Sequence, residues 1–530
     1  MERMKINSII VVGGGSSGWM SAAAFSRYLK DVKVSVVESK TSSPVGVGES
    51  TIIPFNQYLE MIGLEDEEWM KHCNATYKTS IRFTNFRDKE SGSFEYPFGR
   101  GGDENSIAAW AHLAAKYDLP PDGFCEFQSE MYFLAKHNRL TKNEDNQMAF
   151  SFKEDTAYHF DAKLFGEYLR DYVCKPEGVD HYYDDVVSVE KDDDGYVTSV
   201  IGSSGQKYSA DLYVDCTGFK SVLLEGEMNS KFVSSKKWLS NDSALAAHLP
   251  YTNKESQLSN VTNCTAIENG WVWNIPLWSR IGTGYVYSSD FVDDETAAKQ
   301  FKSHLGVDDI DLRKINIKHG YHQEGWVKNV VGVGLSYAFV EPLESTGLVS
   351  THIMIEHICE LLERRNYNIN GFDIDGYNYN AAYAMQGFKQ FVALHYKFSS
   401  RTDTPYWKYQ TQEKNWWNLD VEDNLYEFAT PLREKGALTF SDIYSLIHTM
   451  HSLDHQWTGQ YSGFAYIMAG MGYKPMGERM LNKVRQKDPD IDKKMKQVYN
   501  NWRQHVDEIT QYVNTLPTSY EFLKQTIYSD

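Results

Sequence analysis

The tightest constraint on this chain lies in its first forty residues. A β-branched apolar run, Lys5 to Val12 (KINSIIVV), stops at a cluster of three glycines. Gly13, Gly15 and Gly18 form GxGxxG, small and apolar residues follow from Met20 to Leu29, and a second apolar run, Lys33 to Val37, ends at Glu38. That order predicts a buried parallel strand, a tight turn, a close-packing helix and a second strand, hence a βαβ unit. Glycines let the backbone approach a pyrophosphate, the helix N-terminus supplies a positive dipole, and an acid at the second strand's end accepts a ribose hydroxyl. Gly13, Gly15, Ser16, Ser17, Gly18 and Glu38 are therefore read as a dinucleotide site. NAD and FAD stay open on this motif, because both carry the same adenylate end.

The chain has 530 residues, several times the ~150 of a common domain, so two fused domains or one large elaborated α/β unit are expected. Its 53 Lys+Arg against 72 Asp+Glu leave −19, which repels phosphate backbones and anionic lipid and argues against a nucleic-acid partner. An apolar run long enough to span a bilayer and a signal-peptide layout are both missing, which argues against membrane insertion and secretion. Six scattered cysteines without CxxC suggest neither a disulfide framework nor a zinc ribbon. A cytoplasmic protein is expected.

Asp161 to Val173 reads as helix, followed by strand-like runs at Val186 to Glu190 and Tyr196 to Ile201 joined by Asp192-Asp193-Asp194-Gly195. A third run, Ala210 to Val214, feeds Asp215-Cys216-Thr217-Gly218. This arrangement resembles the later nucleotide-contacting segment of FAD-dependent oxygenases of the two-dinucleotide-fold type. A glycine-containing strand, Val331 to Leu335, then leads to Glu344-Ser345-Thr346-Gly347 and a helical run to about Arg364. FAD is favoured. Alternating aromatics from Trp271 to Tyr287 predict a second sheet with one polar and one apolar face. Past residue 375 the pattern is charged and aromatic helix, ending in an amphipathic stretch from Glu478 to Val513. The predicted fold is α/β: a two-dinucleotide-binding-fold FAD oxygenase core with an interleaved second sheet over 1–375, and a mainly helical cap over 376–530.

Several longer segments resemble the flavin-dependent halogenases of the tryptophan-halogenase type. Trp271-Val272-Trp273-Asn274-Ile275-Pro276 is similar to that family's WxWxIP, and Phe339 to Gly347 (FVEPLESTG) to its FLEPLESTG. Gly46 to Thr51 with Pro54, Lys78 within NATYKTSIRF, Tyr158 to Ala162 and Asp211 to Phe219 extend the similarity over about 8–365, with a fainter echo at Ala469-Gly470-Met471-Gly472. Within the family the chain looks like a marine cyanophage member, which would place it in a host cytoplasm. The resemblance implies a two-component enzyme: a separate flavin reductase supplies reduced FAD (FADH2), and oxygen and halide then yield hypohalous acid that reaches an electron-rich arene. It adds Gly48, Glu49, Ser50, Val187, Gly334, Leu335 and Leu348 to the flavin-binding set.

The resemblance also implies roles for individual residues. Lys78 would donate a hydrogen bond to hypohalous acid or, deprotonated, carry X⁺ as a haloamine; without the family, a solvated charge near Arg82 and Arg87 is the plainer reading. Glu344 would stabilise the cationic ring intermediate and take its proton, although an acid at a helix start also suits the dipole. Backbone N–H groups at Thr346 and Gly347 would hold halide, against the simpler reading that Ser345 or Thr346 caps the helix. Trp271 and Trp273 would keep organic substrate from the flavin. Tryptophan-specific relatives carry YHPF where this chain has Phe94-Glu95-Tyr96-Pro97-Phe98, so Tyr96, Pro97, Phe98 and Trp457 are assigned to an aromatic pocket for an indole, phenol or similar small arene. His159 is read as structural, and His352 and His357 lack a third ligand, so no metal is expected. The competing readings are a single-component FAD monooxygenase and a non-catalytic flavin-binding protein.

Overall fold

The computed structural model describes residues 4–40, 48–99, 104–120, 122–142, 147–148, 150–414, 463–473 and 478–529. The glycine-punctuated start forms the strand Ser8–Val12, the helix Ser16–Tyr28 and the strand Lys33–Glu38. The first strand begins later than its apolar run, because Met4–Lys5 pairs instead with Asn368–Ile369 in a separate ribbon. Ala22, Ala23 and Ala24 are fully buried, and their small side chains let the helix lie close on the sheet.

Ser8–Val12 runs parallel to Lys33–Glu38 on one side and to Leu212–Asp215 on the other. Asp180–Tyr183 and Val330–Gly332 extend the parallel sheet, and Trp326–Val327 adds an antiparallel edge. The expected helix after Asp161 runs as Ala162–Tyr168 and continues as a wider π-helical turn, Leu169–Cys174. The acidic turn joins the hairpin Val186–Lys191 and Val197–Gly202, which packs as a small outer sheet.

Among the described residues the second sheet has seven strands, with Gly270–Pro276 between Val261–Ile267 and Ile281–Tyr287, and with Ser80–Thr84 and Ser93–Pro97 beyond. Its faces do not divide into polar and apolar as the alternation suggested: every residue of Ile281–Tyr287 is buried. Val272, Tyr285 and Tyr287 pack beneath the helix Asp294–Leu305, while Trp271, Trp273, Phe83, Phe94 and Tyr96 enter the main core. Large aromatics at alternate positions here serve two buried layers, because helices or loops cover both faces.

Two long helices complete the region around the site, Thr346–Arg364 and Gly371–Lys397. Residue 375, where the sequence pattern changes, lies inside the second. The terminal amphipathic stretch is two helices, Glu478–Lys487 and Ile491–Val513, broken at Pro489, which disfavours helical backbone in the residue before it. Among the described residues no helix is long and apolar enough to cross a membrane.

Candidate functional site: a dinucleotide cradle beside a buried lysine and glutamate

Close backbone approach explains the glycines. Gly13 has φ +111°, and a Cβ there would lie 2.4 Å from the Cys216 carbonyl oxygen; a Cβ on Gly18 would lie 1.8 Å from that of Gly13. Gly15 ends the turn with open space around it, and the helix Ser16–Tyr28 has neither a side-chain cap nor an acid in its first turn. Its leading N–H groups are thus available to an anion. Gly334, at φ +70°, faces the same end: a Cβ on it would meet the Ser17 hydroxyl at 2.4 Å. Glu38 folds over Gly14 and sets Oε1 2.7 Å from His181 Nε2. An uncapped helix start, glycines on two sides and an acid at the ribose position suit a dinucleotide such as FAD.

Other residues assigned to the cofactor are dispersed. Gly48 adopts φ +97° against Leu277 and Arg280. Glu49 accepts a hydrogen bond from the Ala162 N–H at 2.9 Å, and the Ser50 hydroxyl meets that of Thr262 at 2.6 Å. Leu335 is half-buried beside Gly334, and Leu348 is buried in the first turn of Thr346–Arg364. Val187 lies on the outer hairpin and is 61% exposed.

Lys78 ends the strand Thr76–Lys78, which pairs with Ala157–Phe160. It is fully buried, so the solvated-charge reading fails. Its ammonium donates to the Thr51 carbonyl at 2.8 Å and to Ser345 Oγ at 2.9 Å, and lies 4.9 Å from the centroid of the Phe98 ring. Desolvation pulls its pKa down from 10.5 to about 7. Glu344 is likewise buried, and burial pushes its carboxyl up while His395 and Lys78 pull it down. The short turn Pro342–Glu344 presents it, and Ser345 then adopts φ +58° to enter the helix. Ser345 does not cap that helix: its hydroxyl receives Lys78 and donates to Ser50 Oγ at 3.1 Å. The first turn carries no acid, the Thr346 hydroxyl has no partner among the described residues, and nothing stands where a Gly347 side chain would be.

Trp271 and Trp273 lie on one face of their strand with ring centroids 6.2 Å apart, both indole N–H groups without partners among the described residues. Gly284 gives Trp273 its room, since a Cβ there would stand 2.2 Å from the indole. Cys264, opposite Trp273, directs its thiol to the Leu343 carbonyl at 3.7 Å, so the tryptophan strand and the Glu344 turn are neighbours. Tyr96, Pro97 and Phe98 are buried. Tyr96 stacks on Tyr466 at 5.8 Å and meets Phe391 edge-on at 6.2 Å. The helix Gly463–Gly470 fits here because a Cβ on Gly470 would strike Phe94 at 2.1 Å. Trp457 and Gly46 lie outside the described residues.

Three contributors from the long helix Gly371–Lys397 escaped sequence reasoning: Phe391, His395 and Tyr396. His395 Nε2 is 2.7 Å from Glu344 Oε1, a short contact off the hydrogen-bond axis, and Tyr396 donates to Glu341 on the same turn. Asn241 also donates to Glu341 at 3.0 Å, while burial lifts the Glu341 pKa to about 7. Consecutive residues of one helix thus hold both acids of the EPLE turn; nothing local in the sequence marks them. His159 is buried between the Thr76 and Thr262 hydroxyls, at 3.1 and 2.9 Å.

The tryptophan halogenase profile matches residues 8–486. The 7-chloro-L-tryptophan 6-halogenase KtzR of Kutzneria sp. (strain 744) is 34% identical over 426 residues, covering 76% of this chain and 81% of KtzR. Among solved structures, the VirX1 apo structure superposes with TM-score 0.89 at 42% identity, covering 99% of this chain and all of that one. The tryptophan 6-halogenase SttH of Streptomyces toxytricini superposes with TM-score 0.81 at 31% identity, covering 98% and 99%. The chain therefore belongs to the tryptophan halogenase family of flavin-dependent enzymes.

Proposed function

We propose that this enzyme halogenates an electron-rich aromatic substrate, using reduced FAD from a separate reductase, oxygen and a halide ion. The cradle formed by Gly13, Gly15, Ser16, Ser17, Gly18, Glu38 and Gly334 would hold FAD. Reduced FAD with oxygen supplies the oxidising equivalent that turns halide into hypohalous acid. The uncapped start of Thr346–Arg364, with a Thr346 hydroxyl that has no partner among the described residues, supports a halide site there. Buried Trp271 and Trp273 support a barrier that excludes organic substrate while small species pass.

Lys78 is the receiving group. With a pKa near 7, a sizeable neutral fraction is present at neutral pH. The neutral amine takes X⁺ from HOX with loss of water, and the ammonium donates a hydrogen bond that polarises HOX. Electrophilic attack then leaves a cationic ring: the ring C–H bond breaks, its electron pair restores aromaticity, and Glu344 takes the proton. The observation that carries this reading is the burial of Lys78 and Glu344 together, linked through Ser345. Tryptophan appears in the names of relatives such as KtzR and SttH; Tyr96 in place of the YHPF histidine supports a wider range that includes indoles and phenols.

The test supplies a flavin reductase, NADH and FAD, offers chloride, bromide and iodide separately to an arene panel, and follows product mass. A halide-dependent mass shift is expected. A hydroxylated product formed without halide would instead support an aromatic monooxygenase, and flavin oxidation with neither product would overturn the assignment.

A further inference from the structure

We propose that His395 is a positioning residue that shares one proton with Glu344, keeping that carboxylate ionised and its Oε2 free to receive the proton an arene gives up. The argument begins at the other ring nitrogen. His395 Nδ1 lies 3.1 Å from the Phe391 carbonyl oxygen, which can only accept, so Nδ1 bears a hydrogen. A neutral imidazole would then present a lone pair at Nε2. That nitrogen is 2.7 Å from Glu344 Oε1, which as a carboxylate also presents lone pairs. Two lone pairs cannot rest that close in a dry site; although the Nε2–H direction lies off the line to Oε1, a proton on one of the two groups relieves the repulsion and makes the contact an ion pair.

The surroundings decide which partner holds it. His395 is fully buried, with Phe83 and Phe86 ring centroids 4.7 and 6.2 Å away. The titratable groups acting on the pair are Glu341 from the EPLE turn, Lys78 from its strand and Cys264 from the tryptophan sheet. Glu341 is held by Tyr396 and Asn241, and the Cys264 thiol is pushed far up by burial. Lys78 favours the Glu344 anion only while it is an ammonium, and a haloamine is neutral. Once Lys78 carries halogen, His395 is the one cation named here that still supports the carboxylate, at the step that needs a base. After transfer the pair holds two protons and returns one to water as product leaves.

The inference rests on the halogenase reading, and its first test does not depend on turnover. Full-length protein labelled with ¹⁵N-histidine, with His395→Gln identifying the resonance, should show His395 protonated on both nitrogens at pH 7. It should be singly protonated in Glu344→Gln; a neutral ring in the unsubstituted protein overturns the proposal. The second test measures halogenated product per flavin oxidised in His395→Gln, Glu344→Gln and the double variant. His395→Gln should lose about 10-fold at pH 7 and move the acidic limb of the pH profile upward, yet change Glu344→Gln less than ~2-fold. Equal losses in both backgrounds with an unmoved limb would mean a structural role only. His395→Asn gives the same comparison if the glutamine variant fails to fold. If the unsubstituted enzyme makes no halogenated product, the proposed activity fails, while the resonance still decides the shared proton.

Discussion

Replacing Lys78 with methionine should stabilise the protein at neutral pH while abolishing halogenation. Folding takes an amine of ordinary pKa 10.5 to a site where its pKa is about 7. Each pH unit is worth about 1.4 kcal/mol. The folded state therefore binds fewer protons than the unfolded state between those values, so the penalty is full below pH 7 and fades as pH rises. The same linkage gives roughly 4 kcal/mol at pH 7 and roughly 1 kcal/mol at pH 9.5. Methionine fills similar volume without charge, but forgoes the hydrogen bonds to Thr51 and Ser345, a loss of roughly 1–3 kcal/mol. The net gain at pH 7 is then about 1–3 kcal/mol, and the advantage over the unsubstituted protein should shrink by about 3 kcal/mol on going to pH 9.5. Urea unfolding followed by tryptophan fluorescence at both pH values reads the difference, with reduced-flavin oxidation as the control for an intact cradle. A stability difference that is the same at pH 7 and 9.5 would refute a Lys78 ammonium buried at such cost.

Three further outcomes follow from the site. Glu344→Gln should slow halogenation about 10²-fold, the scale of lost proton-transfer assistance, with flavin oxidation unaffected; single-turnover product formation measures it. Ser345→Gly removes the hydroxyl joining Lys78 to Ser50 at a left-handed position that glycine accepts without strain, so product formation should fall about 10-fold. Thermal denaturation should show the fold retained, and an unchanged rate would remove Ser345 from the site. Gly284→Ala places a methyl against the Trp273 indole, costing about 1–3 kcal/mol by overpacking. By displacing the ring it should let hydroxylated product form beside halogenated product, resolved by mass spectrometry.

What could be read from the linear chain was whatever the chemistry keeps in consecutive residues. The approach of Gly13 to Cys216 and of Gly18 to Gly13 demands glycine whatever the surroundings, so the βαβ unit and the tight turn inside it were legible. WxWxIP and EPLESTG were legible only through their resemblance to a family's consecutive motifs; the residues alone gave a strand and a helix start. Packing decided the rest. The alternation from Trp271 to Tyr287 gave a strand but not its environment, and both faces proved buried because helices and loops cover the sheet on each side. Lys78 stands among polar neighbours in sequence, and only the meeting of three separate segments removes it from water and brings its pKa toward neutrality. His395 reaches Glu344 from a helix with no local motif to announce it. Desolvation and charge pairing act through space, so a residue's titration is set by whatever folds against it and not by its neighbours along the chain.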